Sequence, residues 1–303
     1  MTSTASPAGA AAPTLTVPSP AVSTNWLAEH LHDPGLVVAD VSVLKVDSPD
    51  GRYSFTSGDD PYVIDGHIPG AVYADLLHSF SDPNGRYGFP RPDAQAFEEA
   101  AAGLGVDNDT ALVLYDTSIG HWASRLWWLF RTFGHDNVAI VSGGLTKWKA
   151  EGRALETGWV PPREGSSFTA RPREEMWASQ DDVRAVVSGE APGVLLCGVP
   201  RREYIGQAGL RPRKGHIPGS RSIPPGTLID RATNALYDVD QIRTTFEPLL
   251  KPSDRAVLYC SSGVASSENA LALALAGHEN VALYDGSLNE WVADEANPLT
   301  LDA

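Results

Sequence analysis

Residues 255–277 read R-A-V-L-Y-C-S-S-G-V-A-S-S-E-N-A-L-A-L-A-L-A-G. The apolar run from Ala256 to Tyr259 has the length and residue types of a buried strand, and it stops at Cys260. From about Gly263 to Ala276 the Ala/Leu pattern predicts a helix packed on one face, and Gly277 is the usual residue just past a helix end. Cys260 is therefore expected on a strand-to-helix turn. There, successive backbone N–H groups point inward and the helix adds the positive end of its dipole. That field favours the thiolate, the nucleophilic form of cysteine. Ser261, Ser262, Gly263, Val264, Ala265 and Ser266 carry no long side chain, so the loop stays open around the sulfur. The competing reading is an inert buried thiol at a strand end.

The chain has 303 residues, enough for two domains with a core each. Its net charge is -15 and no Lys/Arg cluster stands out, which argues against nucleic acid or an anionic membrane as partner. Two cysteines cannot form a disulfide scaffold and fit a reducing compartment, so the expected location is the cytoplasm. Residues 1–22 lack both a basic start and a continuous apolar core, and are expected to form a disordered tail rather than a secretory signal. No apolar run approaches the roughly 20 residues that span a bilayer.

After the tail, Ser23 or Thr24 can cap a helix to about Leu31, and Leu36 to Val41 reads as a buried strand. A helix capped by Asp93, a strand from Ala111 to Tyr115, a Trp-rich helix from Gly120 to Phe133 and a strand from Val138 to Val141 follow. The second half repeats these signals. G-H-I-P-G-A at 66–71 returns as G-H-I-P-G-S at 215–220, and V-L-Y-D at 113–116 returns as V-L-Y-C at 257–260. G-H-D-N-V-A at 134–139 matches G-H-E-N-V-A at 277–282, and G-G-L-T-K-W at 143–148 matches G-S-L-N-E-W at 286–291. The last three pairs are offset by 143 or 144 positions, so one unit is used twice.

Strands alternating with helices predict two α/β domains, each with a parallel sheet covered on both faces. Ligands of such sheets bind beyond the strands' carboxyl ends, where Cys260 is expected. The boundaries expected are 23–150 for the first copy, 151–176 for a Pro-containing linker and 177–303 for the second copy. Asp116 holds in the first copy the place of Cys260 in the second, and a carboxylate cannot do thiol chemistry. One copy carries the nucleophile and the other walls the cleft.

Two copies with a G-H-I-P-G box each, Y-D with A-S-R-L-W-W in the first and V-L-Y-C-S-S-G-V-A-S in the second resemble the tandem sulfurtransferases of the rhodanese superfamily. The resemblance covers about residues 23–295. It implies two rhodanese-like domains, each a mostly parallel five-stranded sheet flanked by helices. It also implies sulfane sulfur transfer from a small donor to a thiol or cyanide through a persulfide on Cys260, without metal or organic cofactor. A thioredoxin-like reductant or a sulfur-accepting protein is a further implied partner. The cation-free loop C-S-S-G-V-A-S is closer to the mercaptopyruvate branch than to thiosulfate enzymes. In that branch a Ser and the His of the first box have been assigned a proton relay, which corresponds to Ser262 and His67, with Asp60 or Asp65 as the acid.

The chain departs from the family at the strand end where D-A-R or D-S-R is usual: it reads Cys197-Gly198-Val199, then Pro200-Arg201-Arg202-Glu203-Tyr204. Arg202, Arg211 and Arg213 are the candidates to bind the donor's anionic group in place of the missing arginines. Cys197 is expected on the strand beside Cys260, which raises a resolving thiol as one reading and an inert core thiol as the other. A Cys-based phosphatase would need an Arg where Ser266 stands. A degenerate repeat serving as a sulfur-carrier or binding module is the remaining alternative.

Overall fold

The computed structural model describes residues 15–301. The first repeat runs β1 (Ala21–Val22), α1 (Thr24–His30), β2 (Leu36–Asp40), β3 (Val43–Asp47), β4 (Tyr53–Ser57), α2 (Asp59–Asp65) and β5 (Val72–Tyr73). It continues through α3 (Ala94–Gly103), β6 (Ala111–Tyr115), α4 (His121–Thr132), β7 (Val138–Val141) and α5 (Gly144–Ala150). The second runs β8 (Trp177–Ala178), α6 (Gln180–Ser188), β9 (Val194–Cys197), α7 (Arg201–Tyr204), β10 (Arg221–Ser222), β11 (Ile229–Asp230) and β12 (Ala235–Leu236). It ends with α8 (Val239–Phe246), β13 (Ala256–Tyr259), α9 (Val264–Leu275), β14 (Val281–Tyr284) and α10 (Ser287–Trp291).

Each repeat builds one parallel five-stranded sheet. The order is β1-β7-β6-β2-β5 in the first and β10-β9-β13-β14-β8 in the second, the same arrangement read from opposite edges. The central strands A-L-V-L-Y and A-V-L-Y are buried along their whole length, as strands covered by helices on both faces must be. Helices start where the sequence signals them at Ser23 and Asp93, each of which accepts a first-turn N–H, and Ser179 with Asp182 closes a capping box at the start of α6.

Helices α4 and α9 pack against each other across the boundary between repeats. This corrects the one-faced helix expected after Cys260. Ser266, Ser267, Glu268 and Asn269 are all buried, because α9 has its own sheet on one side and the other repeat on the opposite side.

Two boundaries also shift. Residues 1–14 of the expected tail lie outside the described residues, but from residue 15 onward the chain is built into the fold. The N–H of Val17 donates to Asn137 Oδ1 at 2.9 Å, and Ala21–Val22 form the edge strand β1 against β7. The expected linker 151–176 is a strap packed on the first repeat. Glu156 pairs with His67, Phe168 is buried, Arg163 binds Asp107 at 2.6 Å, and Arg173 grips Asp136 through two bonds.

Among the described residues no helix is long and apolar enough to cross a membrane.

Candidate active site

The carboxyl ends of both sheets face one cleft of about 880 Å³ between the repeats. Cys260, the first residue past β13, lies in its lining with 2% of its surface exposed. Gly263 then turns the chain at φ +78° and caps α9, a conformation that a side chain would strain. The first-turn amides of Val264, Ala265 and Ser266 have no acceptor inside the helix. Gly198 lets the end of β9 pass close to the loop. A Cβ there would stand 2.8 Å from Ser266 Oγ and 3.5 Å from the Cβ of Cys260.

The first repeat shows what such a turn does to an anion. Asp116 occupies the place of Cys260, and four amides, two from the loop and two from the first turn of α4, converge on its carboxylate. Ser118 and Gly120 donate to Oδ1 at 2.8 and 3.1 Å, while Trp122 and Ala123 donate to Oδ2 at 3.0 Å each. Gly120 is the left-handed cap of α4 as Gly263 is of α9, so Trp122 and Ala123 correspond to Ala265 and Ser266. The carboxylate oxygens sit two bonds beyond Cβ. They occupy the distance from the backbone that an atom bonded to the sulfur of the equivalent cysteine would occupy.

The second loop has an anchor that the sequence did not reveal. Ser287 Oγ accepts the N–H of Cys260 at 3.1 Å and of Gly263 at 3.0 Å, and donates to the carbonyl of Tyr284 at 2.8 Å. Ser287 is fully buried and holds φ at +51°, whereas the matching residue of the first repeat is Gly144. The mismatch of G-S against G-G in the aligned repeat was its only signal.

The anion-binding candidates divide. Arg211 reaches the loop, donating to Ser261 Oγ at 3.0 Å and to Glu203 Oε2 at 2.8 Å, with 14% of its side chain exposed. Arg202 is exposed on α7 and outside the cleft lining. Arg213 points away and ties down the C-terminal segment through the carbonyls of Asp294 and Asn297 at 2.9 and 2.5 Å. Neither fits the role expected for it.

The Ser262–His67 relay is corrected as well. Ser262 lines the cleft, but His67 is fully buried outside the lining, stacked on Tyr62 at 4.0 Å with Nδ1 2.9 Å from the Tyr62 carbonyl. His216 repeats this arrangement on Tyr204, so both box histidines fix turns. The histidine in the cleft wall is His121, in the first turn of α4. Burial lowers its affinity for a proton, opposed by the charge of Asp116, and leaves the ring neutral at pH 7.

Cys197 is not at the cleft. It lies opposite Tyr259 at the end of β9 and packs in the same buried apolar cluster as Tyr259 and Cys260, outside the cleft lining. Complete burial pushes the Cys197 thiol up to about 12. A resolving role needs an accessible thiolate, which this position does not offer.

The opposite wall comes from the β3–β4 hairpin, through Lys45, Tyr53 and Phe55, and from Phe89 and Trp122. Phe55 meets Phe89 and Trp122 edge-on with ring centres 5.3 Å apart. The alternation of β3 and β4 went unread because the polar residues around it pass for a loop. Among the described residues no group of three His, Cys, Asp or Glu side chains is placed to hold a metal.

Comparison with known proteins places this architecture. The Rhodanese-like domain family model matches residues 23–151 and 199–294. The chain is 32% identical over 276 residues to 3-mercaptopyruvate sulfurtransferase of Escherichia coli, covering 90% of this chain and 94% of that protein. It is 33% identical over 287 residues to the sulfur carrier protein TtuD of Thermus thermophilus, with the same coverage. The crystal structure of the Escherichia coli 3-mercaptopyruvate sulfurtransferase SseA superposes with a TM-score of 0.78 at 30% identity, over 89% of this chain and 98% of SseA. Two matched regions, near-complete coverage and the superposition on SseA establish that the chain belongs to the rhodanese family, as one of its two-repeat sulfurtransferases.

Proposed function

We propose that the chain moves a sulfane sulfur from a small anionic donor to a thiol acceptor through a persulfide on Cys260. The observation that carries this reading is the Asp116 carboxylate held by four amides, with Cys260 at the equivalent place in an open cleft. With 3-mercaptopyruvate, the Cys260 thiolate attacks the donor sulfur and the carbon–sulfur bond breaks. The electron pair leaves as the enolate of pyruvate, which takes up the proton of the donor thiol. The acceptor thiolate, or cyanide, then attacks the outer sulfur, and Cys260 departs as thiolate. Amides aimed at the sulfur stabilise the negative charge in both steps.

Arg211 selects the donor. One guanidinium beside Ser261, half engaged by Glu203, suits a single carboxylate better than the two charges of thiosulfate. The relatives named 3-mercaptopyruvate sulfurtransferase support the same choice. The relative named a sulfur carrier protein supports a second reading of the acceptor side. A cleft of about 880 Å³ is far larger than a three-carbon donor and admits the thiol of a thioredoxin-like or sulfur-accepting protein. Two unpaired cysteines fit work in a reducing compartment such as the cytoplasm.

The test is intact mass after incubation with 3-mercaptopyruvate or thiosulfate, followed by cyanide. The expected result is a gain of one sulfur from 3-mercaptopyruvate, its loss as thiocyanate on adding cyanide, and neither in Cys260→Ala. Turnover that survives Cys260→Ala overturns the reading.

A further inference from the structure

The α4–α9 crossing places Arg125 and Glu268 at equivalent positions of the two repeats, and both are fully buried. Arg125 reaches out of its own repeat. Its Nη2 lies 2.6 Å from Asp285 Oδ1 and donates to the carbonyl of Phe89 at 2.8 Å. Its Nη1 stands 3.3 Å from where a Cβ on Gly263 would be, against the cap of the cysteine-bearing helix. The other oxygen of Asp285 accepts the N–H of Arg91 at 2.9 Å, so the first repeat holds both oxygens of this carboxylate.

Asp285 stands two residues before Ser287, whose hydroxyl fixes the amides of Cys260 and Gly263. A serine at φ +51° persists only where its surroundings over-determine the backbone. The grip on Asp285 meets that need from one side, and the bond from Ser287 Oγ to the Tyr284 carbonyl meets it from the other.

We propose that Arg125 is a positioning residue for the persulfide loop: by holding Asp285 it sets the Gly286–Ser287 turn, and through Ser287 the amides around Cys260. The repeat without the cysteine is then a working part of the site as well as a wall. The brace runs in one direction only. Glu268 makes no ion pair in return, since neither of its oxygens has a partner among the described residues. Burial and the charge of Asp116 hold its carboxyl in the protonated form.

The inference rests on the Cys260 reading, and the experiment separates the two. Arg125→Met, Arg125→Lys and Asp285→Asn are made in the full chain. Each is measured for kcat and KM with 3-mercaptopyruvate and cyanide, and for hydrogen exchange at the Cys260 and Gly263 amides. The expected result is a fall of about tenfold or more in kcat for Arg125→Met and Asp285→Asn, with KM changed by less than about twofold. Recovery toward wild type is expected in Arg125→Lys, and exchange faster by about tenfold at the two amides in the damaged variants. Should Arg125→Met fail to fold, Asp285→Asn decides, since Asp285 is 20% exposed and the change removes one charge without volume. Unchanged exchange at Cys260 and Gly263 in Asp285→Asn overturns the brace. Loss of sulfur loading in the wild type, with exchange still responding, overturns the Cys260 reading alone.

Discussion

Ser287 Oγ stands 3.1 Å from the backbone nitrogen of Cys260, and it does so from a left-handed backbone that in the first repeat belongs to Gly144. Two terms oppose each other at this residue. The side chain satisfies two buried amides, each worth about 1–3 kcal/mol if orphaned, while its Cβ costs about 1–2 kcal/mol at positive φ. Ser287→Ala keeps the strain and loses the acceptor. Ser287→Gly loses the acceptor and the strain together. Both variants are expected below wild type in stability, with glycine above alanine by roughly 1 kcal/mol in urea unfolding. An alanine variant as stable as the glycine variant would remove strain from the account.

Arg211 and Arg213 make opposite predictions. Loss of the charged contact in Arg211→Ala is expected to raise the KM for 3-mercaptopyruvate by roughly 10- to 100-fold, matching the 1.5–3 kcal/mol of a charge-assisted bond. Arg213→Ala, which loses two bonds to carbonyls near the C terminus, is expected to lower the melting temperature and leave KM unchanged. Steady-state kinetics with a thermal melt of each variant checks both. Equal KM effects would mean that the guanidinium beside Ser261 does not meet the donor.

Two buried acids each make a contribution to stability that falls as pH rises. The Asp40 carboxyl is raised by burial from 3.8 to about 6, and Glu268 is raised well above 4.5 by burial and by the Asp116 charge. The folded state keeps these protons where the unfolded chain has already lost them. The contribution of these two groups is therefore greatest below about pH 4 and erodes as pH rises through the folded values. The Asp40 share is roughly 3 kcal/mol across about pH 4 to 6, at 1.36 kcal/mol per unit. Asp40→Asn is expected to flatten that window, because its amide oxygen can still accept the N–H of Ser42, and Glu268→Gln to raise stability at pH 8. Urea midpoints of wild type and each variant at pH 4.5, 6 and 8 measure it; a difference between wild type and a variant that stays constant across the three pH values contradicts that assignment.

Cys197→Ser is expected to leave persulfide yield on Cys260 unchanged, since the Cys197 thiol is fully buried, pushed up to about 12 and outside the cleft lining. Peroxide-treated wild type is expected to show no Cys197–Cys260 disulfide. Intact mass before and after reduction reads both outcomes, and a mass loss of two hydrogens on oxidation would put the sulfurs within reach of each other.

The repeat made much of this legible in advance. V-L-Y-D against V-L-Y-C identified the two strand ends at which both loops open, and the caps at Ser23 and Asp93 marked helix starts that the structure reproduces. Contacts between repeats were not legible. The partner of Arg125 is 160 residues away in the chain, and nothing local to Asp285 marks it as that partner. The same holds for the β3–β4 hairpin, whose value lies in facing Cys260 across the cleft. The relay through His67 failed for a local reason: Tyr62 covers the ring and its carbonyl engages Nδ1, a contact set by α2, which the sequence reading passed over.

The strap has a mechanical consequence. Arg173 still binds Asp136 of the first repeat, and Trp177 already stands in the second sheet, so only three residues separate the two attachments. So short a tether leaves the halves little freedom to swing apart. Under the proposed transfer, an incoming thiol would have to reach the sulfur through an aperture of nearly fixed width, and the size of the acceptor's tip, more than any hinge motion, would decide which molecules can collect it.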